Sequence, residues 1–151
     1  MNKKLTEQLY TKYPKIFRQH TLPMTETAMC WNFDCNDGWF FLLDTLCSLL
    51  QWDIDHNKHP QIEASQVKEK FGTLRFYVNG SNERQEGYIN FAEYLSGFIC
   101  EECGSNKDVK QSSGAWIYTR CPDCMKKLDY KDTGDLSIFE LLFGKLWKRK
   151  K

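Results

Sequence analysis

The chain has 151 residues, 41% of them hydrophobic and 15% aromatic, a composition that can bury a core and excludes a disordered chain. Twenty-one basic and twenty acidic side chains leave a net charge of +1; no global field draws the protein to nucleic acid or membrane, and any electrostatic partner must be met by a local patch. No apolar run approaches a membrane span and none follows the first basic residues, which predicts a soluble, unexported protein whose seven cysteines favour metal ligation over disulfides.

Leu5, Leu9, Tyr13, Ile16 and Phe17 recur at helical spacing and predict a short N-terminal helix, broken or restarted at Pro14, which lacks an N–H and clashes with the preceding turn. Cys30 and Cys35, with His20, are spaced too loosely for a convincing second metal site. Trp31 and Phe33 between them suggest a core-facing strand with buried structural thiols. Asn36-Asp37-Gly38 is a start signal for the helix WFFLLDTLCSLLQW, on which Asp44, Ser48, Gln51 and Asp55 form one narrow polar stripe. Trp39, Leu42, Leu43, Leu46 and Leu50 are predicted to be buried, each contributing about 1.5–3 kcal/mol. Asp53, Asp55, His56 and His59 carry ligand types that can converge on a metal, and a metal-dependent nuclease using His56 and His59 is the least favoured reading. Without a third anchoring motif, the expectation is a solvated loop leaving the helix before Pro60.

From Gln61 to Val78 the period becomes two. Leu74, Phe76 and Val78 alternate with Thr73, Arg75 and Tyr77, predicting two paired strands closed by Asn79-Gly80. Lys68, Lys70, Arg75 and Tyr77 then make a basic, aromatic sheet face, either a base-stacking surface or the solvent face of a two-layer fold. Helical spacing returns from Glu86 to Ile99 through Tyr88, Phe91, Ala92, Leu95, Phe98 and Ile99, and runs directly into Cys100.

Cys100-Glu-Glu-Cys103-Gly104 and Cys121-Pro-Asp-Cys124 are two C-x-x-C pairs with seventeen residues between them, a spacing suited to a four-cysteine zinc site. Four thiolates leave no open coordination position, so the ion is structural. Iron in a rubredoxin-like site and redox disulfides are the weaker alternatives. Ala115 to Arg120 is predicted as a strand delivering Cys121, and Pro122-Asp123 as the opening of a helix that carries Cys124. Together they suggest a treble-clef or knuckle-like module. Ser112-Ser113-Gly114 reads as a polar hairpin tip. An HNH-type nuclease needs histidines inside the bracketed segment, and none falls between Cys103 and Cys121. Leu136 to Trp147 is a last helix candidate ahead of a basic tail, in which Lys148 and Arg149 are candidate phosphate contacts.

The blocks NDGWF, LLDTLC, KEKFGTLRFY, C-x-x-C-G and WIYTRC together resemble a family of uncharacterised small phage and prophage proteins, over about Met29 to Cys124. The resemblance implies a viral or mobile-element origin, and with it the cytoplasm of a bacterial host, but carries over no catalytic residue.

The expected fold is α+β: a small antiparallel sheet packed by helices in residues 1–99, a zinc-binding module in 100–132, and a C-terminal helix with a basic tail in 133–151. The expected function is a non-catalytic, zinc-stabilised binding protein that inhibits or redirects a host macromolecule. The partner would be a host protein, such as an RNA-guided nuclease complex blocked by an anti-CRISPR or other anti-defence inhibitor. The alternative is a nucleic-acid-binding zinc-finger accessory protein.

Overall fold

A computed structural model describes residues 1–113 and 116–128. Helix α1 spans Lys3–Lys12, opened by the Asn2 side chain, which accepts from the Leu5 N–H. It ends just before Pro14, and Leu9, Tyr13, Ile16 and Phe17 are all buried.

Strands β1 (Phe33–Asp34), β2 (Glu63–Lys70) and β3 (Thr73–Asn79) form one sheet in that order. β2 and β3 are an antiparallel pair, whereas β1 runs parallel to β2. The sheet is therefore mixed, not wholly antiparallel as the sequence suggested. A strand of two residues is too short to display a period, so β1 could not be recognised as a third member. Trp31 does not join a core-facing strand: it ends the 3-10 turn Met29–Trp31 and is 65% exposed, while Phe33 is buried. The hairpin turns at Phe71-Gly72, both at positive φ (54° and 77°) and bracketed by the Lys70–Thr73 pair, which is the two-residue geometry that matches strand twist.

Helices α2 (Phe40–Asn57) and α3 (Glu83–Ser96) contribute the buried residues that meet the inner side chains of the sheet. They run antiparallel: Trp39 Nε1 donates to the Ile99 carbonyl at 2.9 Å near one end, and Arg84 Nε lies 3.3 Å from Asp53 Oδ1 at the other. All five residues predicted to be buried around α2 are so. Its polar stripe is less pure than expected, because Phe41, Leu49 and Trp52 also face solvent.

α3 starts three residues earlier than predicted, on a reciprocal capping box between Asn82 and Gln85. Its buried residues are Gln85, Ile89, Ala92 and Ser96, whereas Phe91 on the helix and Phe98 just beyond its end, both on the helical period, point outward. Small and polar residues occupy the buried positions because α3 lies along the edge of β3. Glu93 Oε1 accepts from the Phe76 N–H and Ser96 Oγ from the Leu74 N–H, each at 2.8 Å, leaving no room there for an aromatic ring.

This core makes two expectations measurable by urea denaturation. Leu46→Ala is expected to cost about 2–5 kcal/mol through the cavity it leaves, and His56→Ala to stay within about half a kcal/mol. Gly87→Ala, where an added Cβ meets nothing within 4 Å, is expected to stabilise α3 by roughly 0.5–1 kcal/mol.

Candidate metal centre

The last turn of the α3 region delivers the first thiol. Cys100 sits where the chain folds back on itself, its carbonyl accepting from the Gly104 N–H at 2.8 Å and its N–H donating to Ser105 O at 2.7 Å. Gly104 takes φ +77°, which supplies the tight knuckle without a Cβ clash. Strands β4 (Lys110–Gln111) and β5 (Thr119–Arg120) pair antiparallel, and β5 leads straight into Cys121. It is shorter than the strand predicted from Ala115. Residues 122–128 are helical, with the Met125 N–H donating to Cys121 O at 2.9 Å, so Cys124 lies on the first turn facing the knuckle. Ser112 is held inside the hairpin, its N–H donating to Tyr118 O and its hydroxyl to Trp116 O.

These elements bring the ligand atoms of Cys100, Cys103, Cys121 and Cys124 within 4.8 Å of one another. The sulfurs of Cys103 and Cys121 are 3.7 Å apart, close to the roughly 3.8 Å edge of a tetrahedron with about 2.3 Å metal–sulfur bonds. Cys103 is exposed and the other three are buried. Burial opposes ionisation of Cys100, but the backbone N–H groups of Cys121, Cys103 and Glu102 overcome it and bring the thiol down to about 7. Burial and the neighbouring sulfurs push Cys124 the other way. One thiol ionises readily while the neighbouring sulfurs hold back Cys103 and Cys124, and a bound cation would favour the thiolate form at all the sulfurs that ligate it. Among the described residues no histidine joins the cluster.

The site is joined to the core by backbone as well as sequence. Glu101 is buried; its carbonyl accepts from the Gly38 N–H at 2.8 Å and its side chain from the Asn36 N–H at 3.0 Å. The Thr119 carbonyl accepts from the Glu101 N–H at 2.9 Å, and the Thr119 hydroxyl donates to the Gly72 carbonyl at the β2–β3 turn. Sequence reasoning missed Gly38, Gly72, Glu101 and Thr119. Two glycines beside a helix start and a hairpin carry no mark of the backbone that will approach them.

The other candidate residues divide. Lys68, Lys70, Arg75 and Tyr77 project from the outward side of β2 and β3, with Lys68 opposite Arg75 and the Lys68 ammonium 5.7 Å over the Tyr77 ring. Lys148 and Arg149 lie outside the described residues, as does the helix expected from Leu136. Cys30 donates to Thr27 O, His20 stacks on Tyr10, and neither joins buried Cys35 in a metal-holding group.

The solvated loop expected around Asp53 is not what forms. α2 continues through Asn57, and Asp53 is fully buried, accepting from Asn57 at 2.7 Å and paired with His59 Nδ1 at 2.5 Å. His56 instead donates from Nδ1 to the Trp52 carbonyl at 2.8 Å and stacks on the Trp52 ring, and Asp55 accepts from Gln51, so the four residues do not converge. Burial would raise the Asp53 carboxyl, but His59 and Asn57, with Arg84 beside them, outweigh it and hold it below the ordinary carboxylate value. A depressed folded value means that this carboxylate stabilises the fold above about pH 4 and loses that contribution as pH falls further. Asp53→Asn is expected to cost about 1–3 kcal/mol at neutral pH, with the gap to wild type closing in acid. A constant gap from pH 7 to pH 3 in denaturant titrations would remove the ionic account.

Comparison with protein-family models, curated proteins and solved structures found no match. The molecule is an α+β fold with a four-cysteine cluster able to hold a metal ion. No helix among the described residues is long and apolar enough to cross a membrane.

Proposed function

We propose that this is a phage-encoded, zinc-stabilised binding protein that inhibits or redirects a macromolecule in the host cytoplasm, an RNA-guided defence nuclease being the partner class. Zinc is the ion that four thiolates at tetrahedral spacing suit best, and knuckle, hairpin and helix together favour a treble-clef arrangement. With four protein ligands the ion serves the fold, and the protein acts by occupying its partner.

The observation that carries this reading is the outer face of α3 and of the turn that follows it. Phe91, Tyr94 and Phe98 are 63%, 66% and 53% exposed at i, i+3 and i+7, pointing away from the core. Clustered aromatic rings on a surface are a feature of protein interfaces, where a few such anchors carry most of the binding energy. The test is affinity capture from nuclease-treated host lysate with wild type and with Phe91→Ser/Phe98→Ser, both positions being exposed enough to leave the fold intact. A stoichiometric protein partner held by wild type and lost with the variant is the expected result. Equal retention by both, or recovery of nucleic acid alone from untreated lysate, would overturn it.

The second reading, a nucleic-acid-binding accessory protein, is favoured by one observation of its own. The outward sheet face gathers Lys68, Arg75 and Tyr77, which are separated in sequence but neighbours in register.

A further inference from the structure

The outward row of the hairpin gathers positive charge: Arg75 is held by hydrogen bonds to Thr73 Oγ1 and the Leu74 carbonyl at 2.7 Å each, and Lys68 is flanked by Asp34 in register. Lys68 stands directly opposite Arg75, and like charges facing each other across strands are unfavourable. Glu93 approaches Arg75 at 3.7 Å. Lys68 has no carboxylate within 4 Å among the described ion pairs. An anion lying over the pair would relieve the repulsion.

Beside this row, past β1, the surface sinks into a pocket of about 440 Å³, within the size range of small-ligand sites. Trp31, Asn32, Asp34 and Gln66 are among the residues lining it, and Asp34 stands next to Lys68 in register. Asn32 has φ 63° and ψ −153°, a backbone region that is nearly reserved for glycine and that persists only where the surroundings enforce it. Here the Asn32 side chain accepts from the Tyr10 hydroxyl at 3.0 Å, which holds the turn that presents Trp31 to solvent. Strain kept at the mouth of a pocket, beside an exposed indole, is the arrangement expected of a binding feature.

The chemistry of the walls selects a ligand. An indole face stacks on a flat π system, amides and a carboxylate match the donors and acceptors on a base edge, and cations one strand away meet phosphates. A base can offer both its face and its pairing edge only when unpaired. We propose that this pocket takes one unpaired base of a single-stranded nucleic acid, stacked on Trp31, with Lys68 and Arg75 holding the adjoining phosphates. The proposal rests on the nucleic-acid reading above and adds a base subsite to it.

The test is fluorescence anisotropy with the full chain and a labelled single-stranded oligonucleotide of about twelve nucleotides, its duplex, and a mononucleotide competitor, from about 50 to 200 mM salt. Trp31→Ala is expected to weaken single-strand binding roughly 5- to 150-fold, the value of one stacked base. Lys68→Gln is expected to flatten the salt dependence by about 0.7 in the log–log slope, the share of one single-strand phosphate. Both positions are on the surface, and circular dichroism verifies that each variant folds. Binding sensitive to Lys68→Gln but indifferent to Trp31→Ala, or equal affinity for duplex and single strand, would overturn the base subsite and leave the nucleic-acid reading standing. A mononucleotide that competes as strongly as the unlabelled form of the same oligonucleotide would overturn the single-strand assignment in favour of a free nucleotide. Absence of binding at the lowest salt, with a protein captured on the α3 face, would overturn both.

Discussion

Cys121→Ser is expected to abolish metal binding and unfold residues 100–128, whereas the wild-type protein is expected to carry one zinc per chain by elemental analysis. Cys121 is buried and 3.7 Å from Cys103, so its loss opens the coordination shell and leaves three sulfurs whose charges repel. Structural zinc contributes about 10–16 kcal/mol of apparent binding energy in small modules, as much as or more than the net stability of a whole domain. Among the described residues the module has little to replace it: its own apolar cluster is Cys100, Cys121 and Cys124 with half-buried Val109. The effect should therefore be all-or-none in this region. Cys103→Ser should behave alike despite its exposure, because coordination number decides the outcome. A red protein absorbing as an iron–thiolate centre would replace zinc by iron. A metal-free protein with an intact 100–128 region would remove the metal centre altogether.

Gly38→Ala is expected to be as damaging as a ligand substitution, although residue 38 touches no metal. A Cβ there would lie 2.5 Å from the Glu101 carbonyl oxygen and from the Gly104 nitrogen, and closer still to the Cys100 carbonyl oxygen. All three are backbone atoms of the knuckle, so no side chain can swing aside. Either the knuckle separates from the start of α2, losing the Gly38–Glu101 and Asn36–Glu101 hydrogen bonds, or α2 shifts and strains the buried Trp39 contact with Ile99. Each route costs several hydrogen bonds of about 1 kcal/mol and well-packed contacts besides, on the order of 4 kcal/mol or more. Thermal denaturation with zinc quantified on the surviving folded fraction reads it directly. A melting temperature within a few degrees of wild type would mean that the knuckle and α2 are not closely joined.

The cysteine spacing was legible because ligand chemistry leaves its mark on residues close in sequence. The core of α2 was legible for a similar reason, since Trp39, Leu42, Leu43, Leu46 and Leu50 repeat at the helical period. What escaped depends on contacts between distant segments. β1 is two residues long and exists because Phe33 and Asp34 fall beside Val67 and Lys68. Phe91 and Phe98 share the helical period but face outward, because α3 meets a strand edge where its hydrogen-bonding side chains are needed. Asp53 looked like part of a polar loop until Arg84, thirty-one positions further along, was seen to approach it. The pairing of two strands was legible but the turn between them was not, because an aromatic residue at positive φ, as Phe71 is, contradicts ordinary turn preferences.

α3 finishes the sheet at β3 by lending two side chains instead of a full ladder. An unfinished strand is a template on which another molecule can polymerise, and here two of its amides are occupied by Glu93 and Ser96. One carboxylate and one hydroxyl thus cap this edge, with the body of α3 packed behind them. A lesion that peels α3 away would do more than weaken the fold: it would open the Leu74 and Phe76 N–H groups to strand addition by another molecule.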